Sequence, residues 1–168
     1  MDEGFINTIY HASPLHDVGK IGIPDNILLK PGLHKAKEWE IMKTHASLGY
    51  AILGQGNSSS PFTKMGAEIA LNHHEQWNGG GYPNGLLGEQ IPLSARMMTI
   101  GDVYDALHTK RPYKEAYSHK KTVAIITKGD GRTSPDHFDP QILVAFQKMA
   151  DRFEEIYAEH VDDLFDKF

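Results

Sequence analysis

His73-His74-Glu75-Gln76-Trp77-Asn78-Gly79-Gly80-Gly81-Tyr82-Pro83 places two adjacent imidazoles and a carboxylate directly before a glycine-rich turn. Imidazole and carboxylate are metal donors, and successive glycines let backbone approach closely whatever the turn faces. Upstream stand His16-Asp17, followed by Gly19-Lys20, and then His45 within a helical pattern. Downstream, Asp102 lies in Gly101-Asp102-Val103-Tyr104-Asp105-Ala106-Leu107. Together these four segments offer more ligands than one tetrahedral ion takes. They suit two divalent ions that share the two oxygens of Asp17.

Around this stretch the hydrophobic pattern is helical nearly throughout. Phe5, Ile9, Ala12 and His16 form a stripe from about Asp2 to Val18, which Pro14 should disturb. Gly19 to Gly32 reads as a loop with Ile27-Leu28-Leu29 as an apolar anchor. One helix is expected from Lys35 to Leu53, with Met42, His45, Gly49 and Ile52 facing inward. The next starts at Pro61 and runs to His74 or Glu75. Trp77 to Pro92 is rich in glycine and reads as one long loop, of a length that usually serves function. Further helices are expected from Leu93 to His108, from Lys120 to Lys128, and from Pro140 to about Asp166. The last should turn Ile142, Leu143, Phe146, Met149, Phe153 and Ile156 inward. With no repeat and no dividing linker, residues 1–168 read as a single all-α domain, a helical bundle with a long glycine-rich loop.

Composition narrows the chemistry. The chain of 168 residues can bury one core. It contains no cysteine, which excludes disulfides, thiolate ligands and cysteine nucleophiles. Any metal must therefore be held by nitrogen and oxygen. A net charge of -5 and the lack of a basic block argue against a nucleic acid polymer as the main partner. The one local basic group is Lys110, Arg111 and Lys114. No apolar run approaches the roughly 20 residues that span a bilayer, and the N-terminus lacks the regions of a signal peptide. The expected location is the cytoplasm, with no membrane partner.

His16-Asp17-Val18-Gly19-Lys20 is similar to the signature of the HD superfamily of metal-dependent phosphohydrolases. The stretch from His73 to Pro83 resembles the extended signature of its HD-GYP branch. The same branch is resembled by Ile21-Gly22-Ile23-Pro24-Asp25, Met42-Lys43-Thr44-His45, Ile91-Pro92-Leu93-Ser94-Ala95-Arg96, Asp102 to Leu107, and Arg111-Pro112-Tyr113-Lys114. These matches run in family order over most of the chain. A bare His-Asp pair carries little weight, but the ordered series carries a great deal.

The resemblance implies a bundle of the HD type and hydrolysis of cyclic di-GMP to linear pGpG, GMP or both. It implies His16, Asp17, His45, His73, His74 and Asp102 as ligands of two divalent ions, iron or manganese. Asp17 would bridge the ions, and Lys20, Arg111 and Lys114 would meet phosphate. Gly81 and Tyr82 would line the substrate site. Glu75 is a candidate for orienting a ligating imidazole. Without that context His45 would read as a core histidine, Asp102 as a helix cap, and the Arg111–Lys114 group as a solvated turn. Asn78 and Gly80 stand where the family usually has Asp and Ser or Thr, which implies local changes in loop stiffness. Family members also carry a further ligand-bearing helix before the His-Asp segment, and the chain starts too late to contain it. A fragment or truncated member is therefore expected, in a parent with an upstream receiver or sensor domain. Two alternatives stay open: another cyclic dinucleotide as substrate, or a weakly catalytic module contacting a diguanylate cyclase.

Overall fold

The computed structural model describes residues 2–54, 60–110 and 115–165, with side chains to residue 159. It is all-α, and among the described residues the only β pairing is an isolated bridge between Asn78 and Leu87. The elements are α1 (Glu3–Ala12), α2 (Asp25–Leu28), α3 (Ala36–Lys43), α4 (His45–Gly54), α5 (Pro61–Asn72), α6 (Leu93–His108), α7 (His119–Lys128) and α8 (Pro140–Phe165). Short 3-10 turns lie at Ser13–Leu15, Val18–Gly22, Gly88–Gln90 and Pro135–His137.

Local chemistry sets several boundaries. The Asp2 carboxylate accepts from Phe5 N at 2.7 Å and caps α1. Ser60 caps α5, with Pro61 as its first residue. Ser118 caps α7. The helix expected to start at Asp2 ends at Ala12, because Pro14 diverts the chain into a 3-10 turn. The helix expected from Lys35 to Leu53 is two helices. Thr44 separates them, its hydroxyl donating to the Ile41 carbonyl at 2.7 Å. Gly19 to Gly32, expected as plain loop, contains the Val18–Gly22 turn and α2.

Two apolar clusters hold the bundle. Ile100, Tyr104, Ile126, Phe138 and Phe146 join α6, α7 and α8. Ile23, Ile27 and Met42 pin the segment after the first turn onto α3. Ile52, Met149 and Ile156, expected inside, are exposed. Leu29, part of the expected anchor, is also exposed, while Ile27 is buried. Arg96 ties α6 to the start of α8, donating to Asp139 Oδ2 at 2.6 Å. No helix among the described residues is long and apolar enough to cross a membrane.

Two close approaches position the future site. A Cβ on Gly19 would lie 1.9 Å from the His45 carbonyl oxygen and 2.4 Å from Gly49 N. The turn carrying Asp17 and Lys20 therefore rests on the bare backbone of α4. At the same place on α4, a Cβ on Gly49 would meet Ala70 Cβ at 3.0 Å and Gly19 N at 3.4 Å. This small-residue crossing brings α5, and with it His73 and His74, against the start of α4.

Candidate metal centre

His45 opens α4, His73 and His74 follow the last residue of α5, and Asp17 begins the 3-10 turn that lies across α4. One ligand atom from each of Asp17, His45, His73 and His74 falls within 4.8 Å of the others. His45 Nε2 and His73 Nε2 are 3.5 Å apart. They lie 3.5 Å and 3.8 Å from Asp17 Oδ1. His16 adjoins the group, with Nε2 3.2 Å from Asp17 Oδ2 and 4.0 Å from Asp102 Oδ1. The structure thus brings together all six residues expected as ligands.

Each of three rings is aimed by its own backbone. Nδ1 of His16 donates to the Ser13 carbonyl at 2.9 Å, and Nδ1 of His45 to that of Met42 at 2.7 Å. His73 Nδ1 reaches the carbonyls of Ile69 and Ala70 at 3.1 and 3.0 Å. With its proton committed at Nδ1, a neutral ring presents the Nε2 lone pair to the cluster. Thr99 on α6 fixes the backbone there, donating to the His73 carbonyl at 2.9 Å. Asp17 completes the fit. Its Oδ1 is buried and accepts no hydrogen bond among the described residues, a costly state for a carboxylate oxygen unless a cation answers it. Buried imidazole nitrogens around an unanswered carboxylate oxygen fit a divalent ion.

Three of the four histidines are held neutral, as that fit requires. Burial opposes ionisation of Asp17, but hydrogen bonds from His16 and Lys20, then their charges, outweigh it and hold the carboxyl below its usual range. Burial pushes His73 down to about 4, with His16 and His45 adding to the effect. Burial, then His73 and His45, pushes His74 down to about 2. His45 is also lowered, mainly by burial. His16 moves the other way: burial lowers it, but the bonded Asp17 carboxylate prevails and raises it.

These directions fix a pH dependence for the metal-free chain. A histidine whose folded value lies below 6.5 binds more protons when unfolded, so its contribution is lost as pH falls from about 6.5 toward the folded value. Three histidines act in this sense. His16 acts oppositely, its contribution being present below 6.5 and lost as pH rises through its folded value. The net expectation is a falling urea midpoint between pH 7 and pH 5 in the presence of a chelator. A midpoint that stayed level or rose on acidification would contradict these assignments.

Asp17, His45, His74 and Asp102 line an open cleft of about 360 Å³, together with Lys20, Trp39, Met42 and Tyr82. Lys20 Nζ donates to Asp17 Oδ2 and stands at the edge of the cleft. Tyr82 is a wall residue. Its ring stacks on His74 at 4.8 Å and 27°, and its N–H donates to the His74 carbonyl at 3.1 Å. Gly81 lies against the chain, since a Cβ there would meet Gln76 N at 2.3 Å and Glu75 Cα at 2.4 Å. Arg111 and Lys114 lie outside the described residues.

Glu75 differs from its expected role. It is 1% exposed, and its two oxygens accept from Asn84 N at 2.7 Å and Leu86 N at 2.9 Å. It clamps the glycine-rich loop, and no contact with an imidazole is seen among the described residues. Glu75→Ala strands two backbone donors and should cost about 3 kcal/mol or more. Glu75→Gln keeps one acceptor and should cost less. Urea unfolding of both variants checks the order, and equal stability of wild type and Glu75→Ala would refute the clamp. Asp105 accepts from Thr109 at 2.8 Å near the end of α6, a helix-end role. Asn78 ties its loop to the Pro135–His137 turn, donating to Asp136 Oδ2 at 3.1 Å, and accepts locally from Gly80 N at 2.9 Å. Trp39, which sequence reasoning passed over, lines the cleft. Its signal was its place three residues before Met42, on the stripe that leads α3 into the core.

A family model described as HD domain matches residues 1–142. The chain is 47% identical over 161 residues to a cyclic di-GMP phosphodiesterase of Vibrio cholerae, covering 94% of this chain and 32% of that protein. It is 44% identical over 156 residues to a cyclic di-GMP phosphodiesterase response regulator of Xanthomonas campestris, covering 93% and 40%. It is 42% identical over 156 residues to 3'3'-cGAMP-specific phosphodiesterase 2 of Vibrio cholerae, covering 93% and 29%. The chain therefore spans well under half the length of these curated relatives.

Proposed function

Since the chain belongs to the HD domain family, in its HD-GYP branch, we propose that it is the phosphodiesterase domain of a longer protein and hydrolyses cyclic di-GMP. The products are linear pGpG, GMP or both. The observation that carries this reading is the buried, unanswered Oδ1 of Asp17, faced by the Nε2 atoms of His45 and His73, beside an open cleft that Asp17 and His45 line.

Two divalent ions, iron or manganese, held by His16, Asp17, His45, His73, His74 and Asp102, would supply Lewis-acid charge and acidify a water for attack on phosphorus. The rest of the work falls to the chain. The backbone carbonyls of Ser13, Met42, Ile69 and Ala70 hold three imidazoles in one tautomer. Burial keeps His45, His73 and His74 neutral near pH 7. Lys20 orients Asp17 and places its ammonium where a non-bridging phosphate oxygen gathers charge during hydrolysis. Gly81 and Tyr82 shape the wall against which the substrate lies. Arg111 and Lys114 are assigned to phosphate by family position.

A second reading, 3'3'-cGAMP as substrate, is favoured by the relative named for it. A receiver domain elsewhere in the parent is supported by the response-regulator relative. Residues 1–168 act as one domain, in the cytoplasm. A diguanylate cyclase remains a proposed partner of the loop around Tyr82.

The test is to incubate the chain with Mn²⁺ or Fe²⁺ and either cyclic dinucleotide, following products by chromatography and bound metal in parallel. Linear dinucleotide or GMP from cyclic di-GMP supports the main reading. Turnover of 3'3'-cGAMP alone supports the second, and bound metal without turnover of either rejects both.

A further inference from the structure

The cleft has two unlike sides. One side carries Asp17, His45, His74 and Asp102 of the ligand cluster together with Lys20, a setting that, once metal-loaded, suits an anion. Its other side is built by Leu28, His34, Trp39 and Met42. Trp39 is the large flat group there, and it is 45% exposed although it projects into a cleft. A half-exposed indole beside a cation and a metal-ligand cluster calls for a ligand that is anionic at one end and flat at the other.

Tyr82 is poorly placed for that task. One face of its ring is spent on His74, and it is half-buried. Its edge instead braces Trp39, with ring centroids 6.1 Å apart and planes at 79°. His34 supports the indole from another direction at 6.4 Å. The His34 ring is itself fixed, Nε2 donating to the Ile27 carbonyl at 2.9 Å. The indole is thus held in place before any ligand arrives, which spares the entropy of ordering it on binding. It stands one ring beyond Tyr82, and Tyr82 in turn lies 6.4 Å from the ring of His45.

We propose that Trp39 is the nucleobase-stacking residue of this cleft, holding one purine of the cyclic dinucleotide while its phosphodiester lies over the histidine cluster. This rests on the phosphodiesterase reading above. Stacking on an aromatic face is tolerant of base identity, so Trp39 serves guanine and adenine alike and sets affinity more than choice of substrate.

The experiment compares wild type, Trp39→Ala and Trp39→Phe in the manganese-loaded chain. In Trp39→Ala the KM for cyclic di-GMP should rise about tenfold, within the roughly five- to hundredfold range expected for one lost stacking contact. The kcat, bound manganese and melting temperature should change little. Trp39→Phe keeps a π-face and should recover most of the loss. In a Trp77→Phe background Trp39 is the sole tryptophan, and its fluorescence should be quenched on mixing with cyclic di-GMP, before turnover. Unchanged KM in an active Trp39→Ala variant, failure of Phe to rescue, or absence of quenching in an active chain overturns the stacking assignment alone. If wild type neither turns over nor quenches with either cyclic dinucleotide, the phosphodiesterase reading falls and this inference with it.

Discussion

Asp17→Ala should abolish both metal retention and turnover. Its two oxygens work in different directions: Oδ1 lies within 3.8 Å of two imidazole nitrogens, while Oδ2 accepts from Lys20 and sits 3.2 Å from His16 Nε2. Asp17 thereby joins the histidine cluster to the Lys20 ammonium. Loss of turnover should exceed the about 10²–10³-fold that removal of a single charge-stabilising donor typically costs. The fold should survive, because the Gly19 contact with α4 does not use the Asp17 side chain. Metal analysis, product chromatography and circular dichroism on the same preparation check this. Activity within tenfold of wild type, or unchanged metal content, would reject the bridging role.

Gly19→Ala should damage the molecule through packing alone. The added methyl would overlap the carbonyl of His45 and the amide of Gly49, the two groups of one turn of α4. Backbone cannot swing aside as a side-chain tip can, so the 3-10 turn must lift from the helix. Overpacking of this kind costs about 3 kcal/mol at its upper end, or about 6–12 °C in melting temperature for a chain of this size. The same movement carries Asp17 away from His45 and His73, so metal affinity should fall together with stability. Gly101→Ala is the matched control. Gly101 lies inside α6 with nothing within 4 Å of the added Cβ, and there alanine should stabilise by about 0.5–1 kcal/mol. Calorimetry of both variants is decisive, and a Gly19→Ala chain that melts with wild type would refute the contact.

Much of the architecture was legible because amphipathic helices announce themselves by period. Leu93 to His108 has the same bounds in sequence and structure, and the expected helix from Pro140 is helical through Phe165, with its expected end at Asp166 outside the described residues. The break at Thr44 was hidden, since threonine inside an apolar stripe looks like ordinary helix until its hydroxyl takes the Ile41 carbonyl. Ile52, Met149 and Ile156 were misplaced for another reason. Period identifies a face, but it does not tell how far along that face a partner helix extends. At the site, the residue types carried the chemistry, whereas the meeting of four segments depends on Gly19 and Gly49, whose close contacts leave no periodic trace. Glu75 was read from its histidine neighbours. The loop following it holds buried amides that must find acceptors, and that need is invisible until the loop is folded.

The spacing of the cluster along the chain has one more implication. His45 and His73 are 28 residues apart, and Asp17 and Asp102 stand at similar intervals on either side of them. Ions held by these residues, as proposed, would close three successive loops of the backbone at one centre. Cross-links of that kind remove conformational freedom from the unfolded chain. A chain with no cysteine would thereby gain a reversible equivalent of a set of disulfides, whose strength follows the free concentration of the ion. On the proposed function, the same centre would serve as a removable knot, with metal supply setting the catalytic state and the cohesion of the first hundred residues together.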